Sequence, residues 1–382
     1  MKLGGKPTKP PAASRPEPQP EQVPGAMRLE DAIKANVVAN APSSAKKASV
    51  TACVTEIRRL VELVGQDWEI MPYGSFANGL GTSASTLKCT CFVVGQDIRG
   101  SHPGRDAARL LELRLCPVFE RHERFAIRDV KFEFGVLILQ LLFDGLLNVD
   151  VTCYNLTPLS TDRLLYAYAN WDWRLRVVVL VAETWCRRVC PHLPADVIAY
   201  IVLYALQVHE DVRLPVLPMD AFEHSGAWEN DHRVQDLRRG WECSLSSAAL
   251  LSRFFQFYAR DFYWGREVVS IITGNRWSDE SKVWKRLSLS GVYCEMLVEH
   301  PYEFQRNYSD QMHNNDGVAL RMAFENAIQE VSIGRAPHPL TLISNVGANA
   351  SLATRGGASG REDEPQALLG TVWHCREWPM SL

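Results

Sequence analysis

Residues Pro72–Val93 read PYGSFANGLGTSASTLKCTCFV. A strand-like run, DWEIMPYG, leads into Gly74 and Ser75, and the pair predicts a tight turn whose backbone N–H groups face outward. Gly79 permits close backbone approach. Clustered N–H dipoles beside a hydroxyl favour an anion such as phosphate. G-S pairs are also common in ordinary turns, so this fragment alone leaves both readings open. A second strand, LKCTCFVV, follows and carries Lys88.

The flanks extend the pattern. Before the turn, Val50, Val54, Ile57, Leu60, Val61 and Val64 recur at helical spacing. After it come strand-like runs FAIRDVKFEF, VLILQLLF and LNVDVTCYN, with a helix, GRDAARLLELRLCPVFERH, ahead of them. Beyond about Leu164 the chain turns helical, in DRLLYAYANWDWRLRVVVLVAETWCRRV, ADVIAYIVLYALQVHE, LSSAALLSRFFQFYARDFYW and DGVALRMAFENAIQEV. The expected fold class is α+β: a mixed-sheet domain over 27–160, then an all-helical domain over 161–335. Residues 1–26 carry seven prolines and few large apolar side chains, which predicts a disordered tail. The small, polar, Gly-rich stretch over 336–382 predicts a flexible one.

Several segments in the same order carry a family resemblance. G-S-x-x-x-G-L, then S-D-x-D on the next strand, marks the DNA-polymerase-β-like nucleotidyltransferases. Gly74, Ser75, Gly79, Leu80 and Ser85 stand at that spacing. NVDVTCYN resembles the context of the third family aspartate and supplies Asp150 and Asn155. VLYALQVHEDVRLPVLP, LLSRFFQFYARDFYW and VEHPYEFQRN resemble helical-domain segments of the poly(A) polymerase and terminal uridylyltransferase branch. The resemblance covers roughly residues 45–333. It implies a pol-β-like domain followed by a PAP-associated, substrate-binding helical domain. It also implies Mg²⁺ or Mn²⁺ as cofactor, and NTP (ATP or UTP) and an RNA 3′ end as substrates.

Carried over residue by residue, the resemblance gives Asp150 as catalytic and metal-holding. Gly74, Ser75 and Arg187 would hold the triphosphate, and Asn155 the sugar. The chemistry then breaks. Two of the three metal carboxylates belong at S-D-x-D, and those positions are Thr86 and Lys88. One charge pair at about 4 Å and an effective dielectric near 20 is worth roughly 4 kcal/mol, so a dication trades about 8 kcal/mol of attraction at position 88 for comparable repulsion, as upper bounds. A threonine oxygen is a poor magnesium ligand. The triphosphate lysine two residues before Trp185 is Glu183, and the base-stacking L-S-S-Y reads LPAD, Leu193–Asp196. Glu133 and Asp144 are the carboxylates that could step in. Lys88 could instead touch phosphate directly, or be an ordinary solvated lysine.

Composition bounds the rest. The 382 residues are 46% hydrophobic and 22% charged, with net charge −3, so no bulk affinity for nucleic acid is expected. Ten cysteines form no C-x-x-C pair, and neither a signal peptide nor a membrane span is expected. That suits an intracellular protein of cytoplasm or nucleus. Cys186, Cys190 and His192 lack a fourth ligand, so they and the Cys89/Cys91 pair read as core residues. HRVQDLRRGW reads as a basic, solvated loop. Two functions follow: an RNA 3′-end nucleotidyltransferase with an impaired site, or an inactive scaffold that binds RNA or a protein partner.

Overall fold

Five strands form one sheet in the order β1-β2-β5-β4-β3: β1 (Trp68–Tyr73), β2 (Leu87–Val93), β3 (Phe125–Glu133), β4 (Val136–Phe143) and β5 (Leu147–Cys153). Only β2 and β5 pair in parallel; the other pairings are antiparallel. The computed structural model describes residues 28–96, 103–133, 135–191, 193–223, 228–276, 296–303, 307–308, 312, 314–337 and 340. The Pro-rich tail at 1–26 and nearly all of the stretch from 336 lie outside these residues.

Period-two alternation divides the sheet's faces. One face carries Leu87, Cys89, Cys91, Leu139, Leu141, Val149 and Val151, which pack on Val50, Cys53, Val54 and Ile57 of α2 (Ser44–Glu62). Ser43 caps α2, its hydroxyl accepting from the Lys46 N–H at 3.1 Å. The helix expected between β2 and β3 is α3 (Pro103–Leu110), which runs through one π turn (Leu111–Leu115) into α4 (Cys116–Glu120).

The helical part comprises α5 (Thr157–Trp171), α6 (Trp173–Val189), α7 (Ala195–Val208), α8 (His232–Gly240), α9 (Ser247–Gln256) and α10 (Asn314–Ser332). Every residue of α7 from Val197 to Gln207 is buried, as befits a helix apolar on all sides. Trp185, Phe254, Phe255, Tyr258 and Phe324 form an aromatic cluster around it. A short parallel pair, β6 (Val268–Val269) with β7 (Leu297–Val298), packs on this core. Among the described residues no helix is long and apolar enough to cross a membrane.

Three details differ from the sequence reading. The long helix expected from Asp162 to Val189 is broken at Asp172, whose extended backbone caps α6 by accepting from the Arg174 N–H at 2.8 Å. HRVQDLRRGW is not a loop. It forms α8, because Asp231 caps it and Arg233 pairs with both Asp231 and Asp220. The helix α1 (Leu29–Asn40) precedes the sheet in sequence, yet Leu29, Ile33 and Val37 pack into the helical core. Asn36 and Asn40 bond Thr184 of α6 at 3.2 and 3.4 Å.

Candidate active site

At the end of β1 the chain enters the left-handed region at Gly74, φ +78°, and does so again at Gly79. Between them the N–H groups of Ala77 and Asn78 donate to the Gly74 carbonyl at 2.8 and 3.0 Å, closing one helical turn. The Gly74 N–H does not face outward. It donates to Asp162 Oδ2 of α5 at 2.5 Å. Asn78 Nδ2 donates to Asp162 Oδ1 at 2.9 Å, and Asn78 Oδ1 accepts from the Leu80 N–H. One buried carboxylate thus ties both ends of the turn to the helical part. Burial pushes the Asp162 carboxyl up to about 7, against the opposing pull of its two donors. Ser75 is half-buried, and its hydroxyl has no hydrogen-bond partner among the described residues.

The segment after the turn is tied down by Ser85, which accepts from the Thr82 N–H at 2.9 Å, and by Lys46, whose ammonium donates to the carbonyls of Ser83 and Ser85 at 2.6 and 2.8 Å. Ser85, at a matching family position, therefore serves the loop's shape.

β2 then presents Lys88 to the sheet's second face. The register sets Tyr73, Lys88, Asp150, Gln140 and Asp129 side by side, one from each strand. Paired residues point to the same face. Asp150 therefore stands between Lys88 and Gln140, whose Nε2 donates to Asp150 Oδ1 at 3.2 Å. Burial pushes the Asp150 carboxyl above the usual range, against the pull of Lys88, Gln140 and Lys131. Lys88 is exposed, and its stem runs across Gly74: a Cβ there would sit 3.3 Å from Lys88 Cδ.

This donor set does not fit a catalytic magnesium. A magnesium site asks for carboxylates and waters in near-octahedral array. Asp150 has a cation on one side and an amide on the other, and Asp129 lies two strands off, about 10 Å away. Neither alternative carboxylate joins Asp150. Asp144 forms a two-pronged ion pair with Arg124 in the β4–β5 turn, and Glu133 pairs with Lys131 at 3.7 Å. Among the described residues no three His, Cys, Asp or Glu side chains converge on a common point.

The remaining expected residues are spread around this row. Asn155, just past β5, donates its N–H to Thr90 Oγ1 and its amide to the Tyr73 hydroxyl at 3.4 Å. Arg187 is half-exposed and bonds Glu183 at 2.9 Å, so its charge is matched by a carboxylate one helical turn away. Burial and nearby Asp196 hold the Glu183 carboxyl up, against the pull of Arg187. Asp196 stands in the first turn of α7. Cys186 and Cys190 are fully buried; His192 lies outside the described residues. Asp162 and Gln140 escaped the sequence reading. Each sits in an otherwise regular helix or strand, and only its partner in another element gives it a role.

The left-handed backbone at Gly74 gives a direct expectation. Gly74→Ala should lower stability by about 1–2 kcal/mol, because an L-residue is strained at that φ and the new methyl crowds Lys88. A shifted urea midpoint at unchanged slope would register it; no shift would mean the turn is looser than its hydrogen bonds imply.

A five-stranded mixed sheet with a Gly-Ser turn after its first strand, joined to a helical bundle, is the fold of the pol-β-like nucleotidyltransferases of the poly(A) polymerase and terminal uridylyltransferase branch. Residues 247–306, within the helical part, match the family model described as Cid1 family poly A polymerase. The chain is 23% identical over 222 residues to poly(A) RNA polymerase gld-2 of Caenorhabditis elegans, which is 53% of this chain and 20% of that protein. It thus spans about a fifth of that relative's length. Among solved structures, Cid1 in complex with a UTP analogue superposes with a TM-score of 0.65 at 18% identity, over 82% of this chain and 98% of that one. A GLD-2/RNP-8 complex gives 0.63 at 18%, over 83% and 97%. At these identities the structural likeness speaks for the fold, and the site must be argued from its own residues.

Proposed function

We propose that this chain is an RNA 3′-end nucleotidyltransferase-type protein whose transfer chemistry is impaired, and that it acts in cytoplasm or nucleus as a scaffold binding RNA or a protein partner. One observation carries the reading: Lys88 stands beside Asp150 in the parallel β2–β5 register, where a second metal carboxylate belongs. Thr86 removes the other. The Arg187–Glu183 pair adds to it, because it cancels the charge that would meet a triphosphate.

The second reading, residual transfer from ATP or UTP, is favoured by the intact frame. Gly74 and Gly79 keep their left-handed turns, the Ser75 hydroxyl has no hydrogen-bond partner among the described residues, and Asp150 remains on its strand. In that reading Gly74, Ser75 and Arg187 bind phosphate, Asn155 the sugar, and the sheet domain ends near residue 160, with α1 counted in the helical part.

Extension of a labelled RNA oligonucleotide separates the two. Purified protein with Mg²⁺ or Mn²⁺ and ATP or UTP should leave the RNA unextended. Extension that Asp150→Ala abolishes would overturn the impaired-site reading.

A further inference from the structure

Four of the arginines in the helical part show how this chain handles a guanidinium near its core. Arg174 bonds Asp172 and the Leu245 carbonyl. Arg187 bonds Glu183, Arg253 pairs with Asp211 at 2.9 Å, and Arg163 donates to the carbonyls of Phe222 and Glu223. Arg176 does none of this. Its Nε and Nη1 are shut off from solvent, and among the described residues it has neither a hydrogen-bond partner nor a carboxylate at ion-pairing distance. Burial pulls the guanidinium below its ordinary value, with the Tyr166 side chain supplying the opposing pull. An unpaired charge in such a place is expensive. The side chain is therefore stored in a state that an anion would relieve.

Its place says which anion. Residues 176, 183 and 187 share one face of α6, at separations of seven and eleven residues. Arg176 is thus roughly 16 Å along the helix axis from Arg187. Tyr166, whose side chain acts on the Arg176 charge, has its ring 3.8 Å from the position a Cβ would take at Gly79. Tyr166 thus lies at the far end of the Gly74–Leu80 turn, while Lys88 crosses its near end. Lys88 stands beside Asp150 in the strand register, and Arg187 pairs with Glu183. Among the described residues no carboxylate pairs with Arg176.

We infer that Arg176 is an anion-binding residue that takes a phosphate oxygen beside the α5–α6 hairpin, outside the Lys88–Asp150 row and without a metal ion. The phosphate can belong to an RNA backbone or to a free nucleotide. This rests on the reading that RNA or nucleotide still binds, and not on whether transfer occurs. Arg176 reaches its ligand through Nη2, the one guanidinium nitrogen not shut away.

The test uses the full chain in EDTA, so the extension reaction plays no part. Binding of a 15-nucleotide RNA is measured over a salt series for wild type, Arg176→Gln and Arg176→Lys. Arg176→Gln should weaken binding about fivefold to tenfold near 0.1 M salt and flatten the salt dependence by about 0.7 in slope, as loss of one single-strand phosphate contact does. Arg176→Lys should keep the slope and recover part of the affinity. Thermal protection by ATP or by inorganic phosphate forms the second arm. If these protect wild type but not Arg176→Gln while RNA binding is unmoved, the phosphate is that of a free nucleotide. Equal RNA affinity, equal slope and equal protection in wild type and Arg176→Gln would overturn the inference, even if the extension assay is negative as proposed. Should Arg176→Gln not fold, Arg176→Lys decides the matter: weaker RNA binding than wild type at an unchanged salt slope supports the inference, and affinity and protection equal to wild type overturn it.

Discussion

Mn²⁺ should bind the Thr86→Asp, Lys88→Asp double variant at least a hundredfold more tightly than it binds wild type. The register places residue 88 next to Asp150, so the variant sets two carboxylates side by side and adds a third at the start of β2. Each unit of charge exchanged near a dication is worth up to about 8 kcal/mol at 4 Å and an effective dielectric near 20. About 2.7 kcal/mol of the total swing suffices for a hundredfold change. Removing Lys88 also frees the space over Gly74 that its stem occupies. Titration followed by Mn²⁺ electron paramagnetic resonance reads the affinity directly. If wild type and variant bind alike, the sheet row is not the metal position and the impaired-site argument fails. Metal binding without RNA extension would place the remaining damage at Glu183 and at the N-terminus of α7.

Asp162→Ala should destabilise the protein by about 3 kcal/mol at pH 5. It strands two donors, the Gly74 N–H and the Asn78 amide, in a buried place, at about 1–3 kcal/mol each. The penalty should shrink by pH 8, and the sign follows from linkage. The folded carboxyl is pushed up to about 7, above the ordinary 3.8, so the folded state holds the proton more tightly than the unfolded state. Wild type therefore loses stability as pH rises from about 4 to about 7. The ceiling on that loss is about 4 kcal/mol, at 1.36 kcal/mol per pH unit. The alanine variant has no such slope. Urea denaturation of both proteins at pH 5 and pH 8 checks it. A penalty that grows with pH would mean that the two hydrogen bonds outweigh burial and hold Asp162 ionised.

The strands and most helices were legible because their signals are local. Alternation in β2 and β5, helical spacing in α2 and α7, and glycines at both ends of the turn act within a few residues of themselves. The Asp172 break was also written locally, as a capping aspartate, but the apolar residues on either side masked it. The site was legible only in part. Thr86 and Lys88 reveal the altered chemistry by identity alone. That Lys88 lies beside Asp150 rather than merely on a nearby strand depends on β2–β5 pairing across some sixty residues of chain. The inward turn of the Gly74 N–H depends on Asp162, eighty-eight positions away. Nothing local in α6 marks Arg176 as the arginine without a hydrogen-bond partner among the described residues.

The position of α1 has a consequence for how the chain assembles. Its apolar stripe docks on α6 and α9, so the helical part is discontinuous in sequence and the sheet domain is an insertion within it. Seating α1 closes a loop of roughly 130 residues, which carries an entropic cost. A fragment beginning near residue 160 would leave the seat of Leu29, Ile33 and Val37 uncovered and should self-associate. The same fragment supplied with a peptide spanning α1 should stay dispersed, as complementing halves of one protein do.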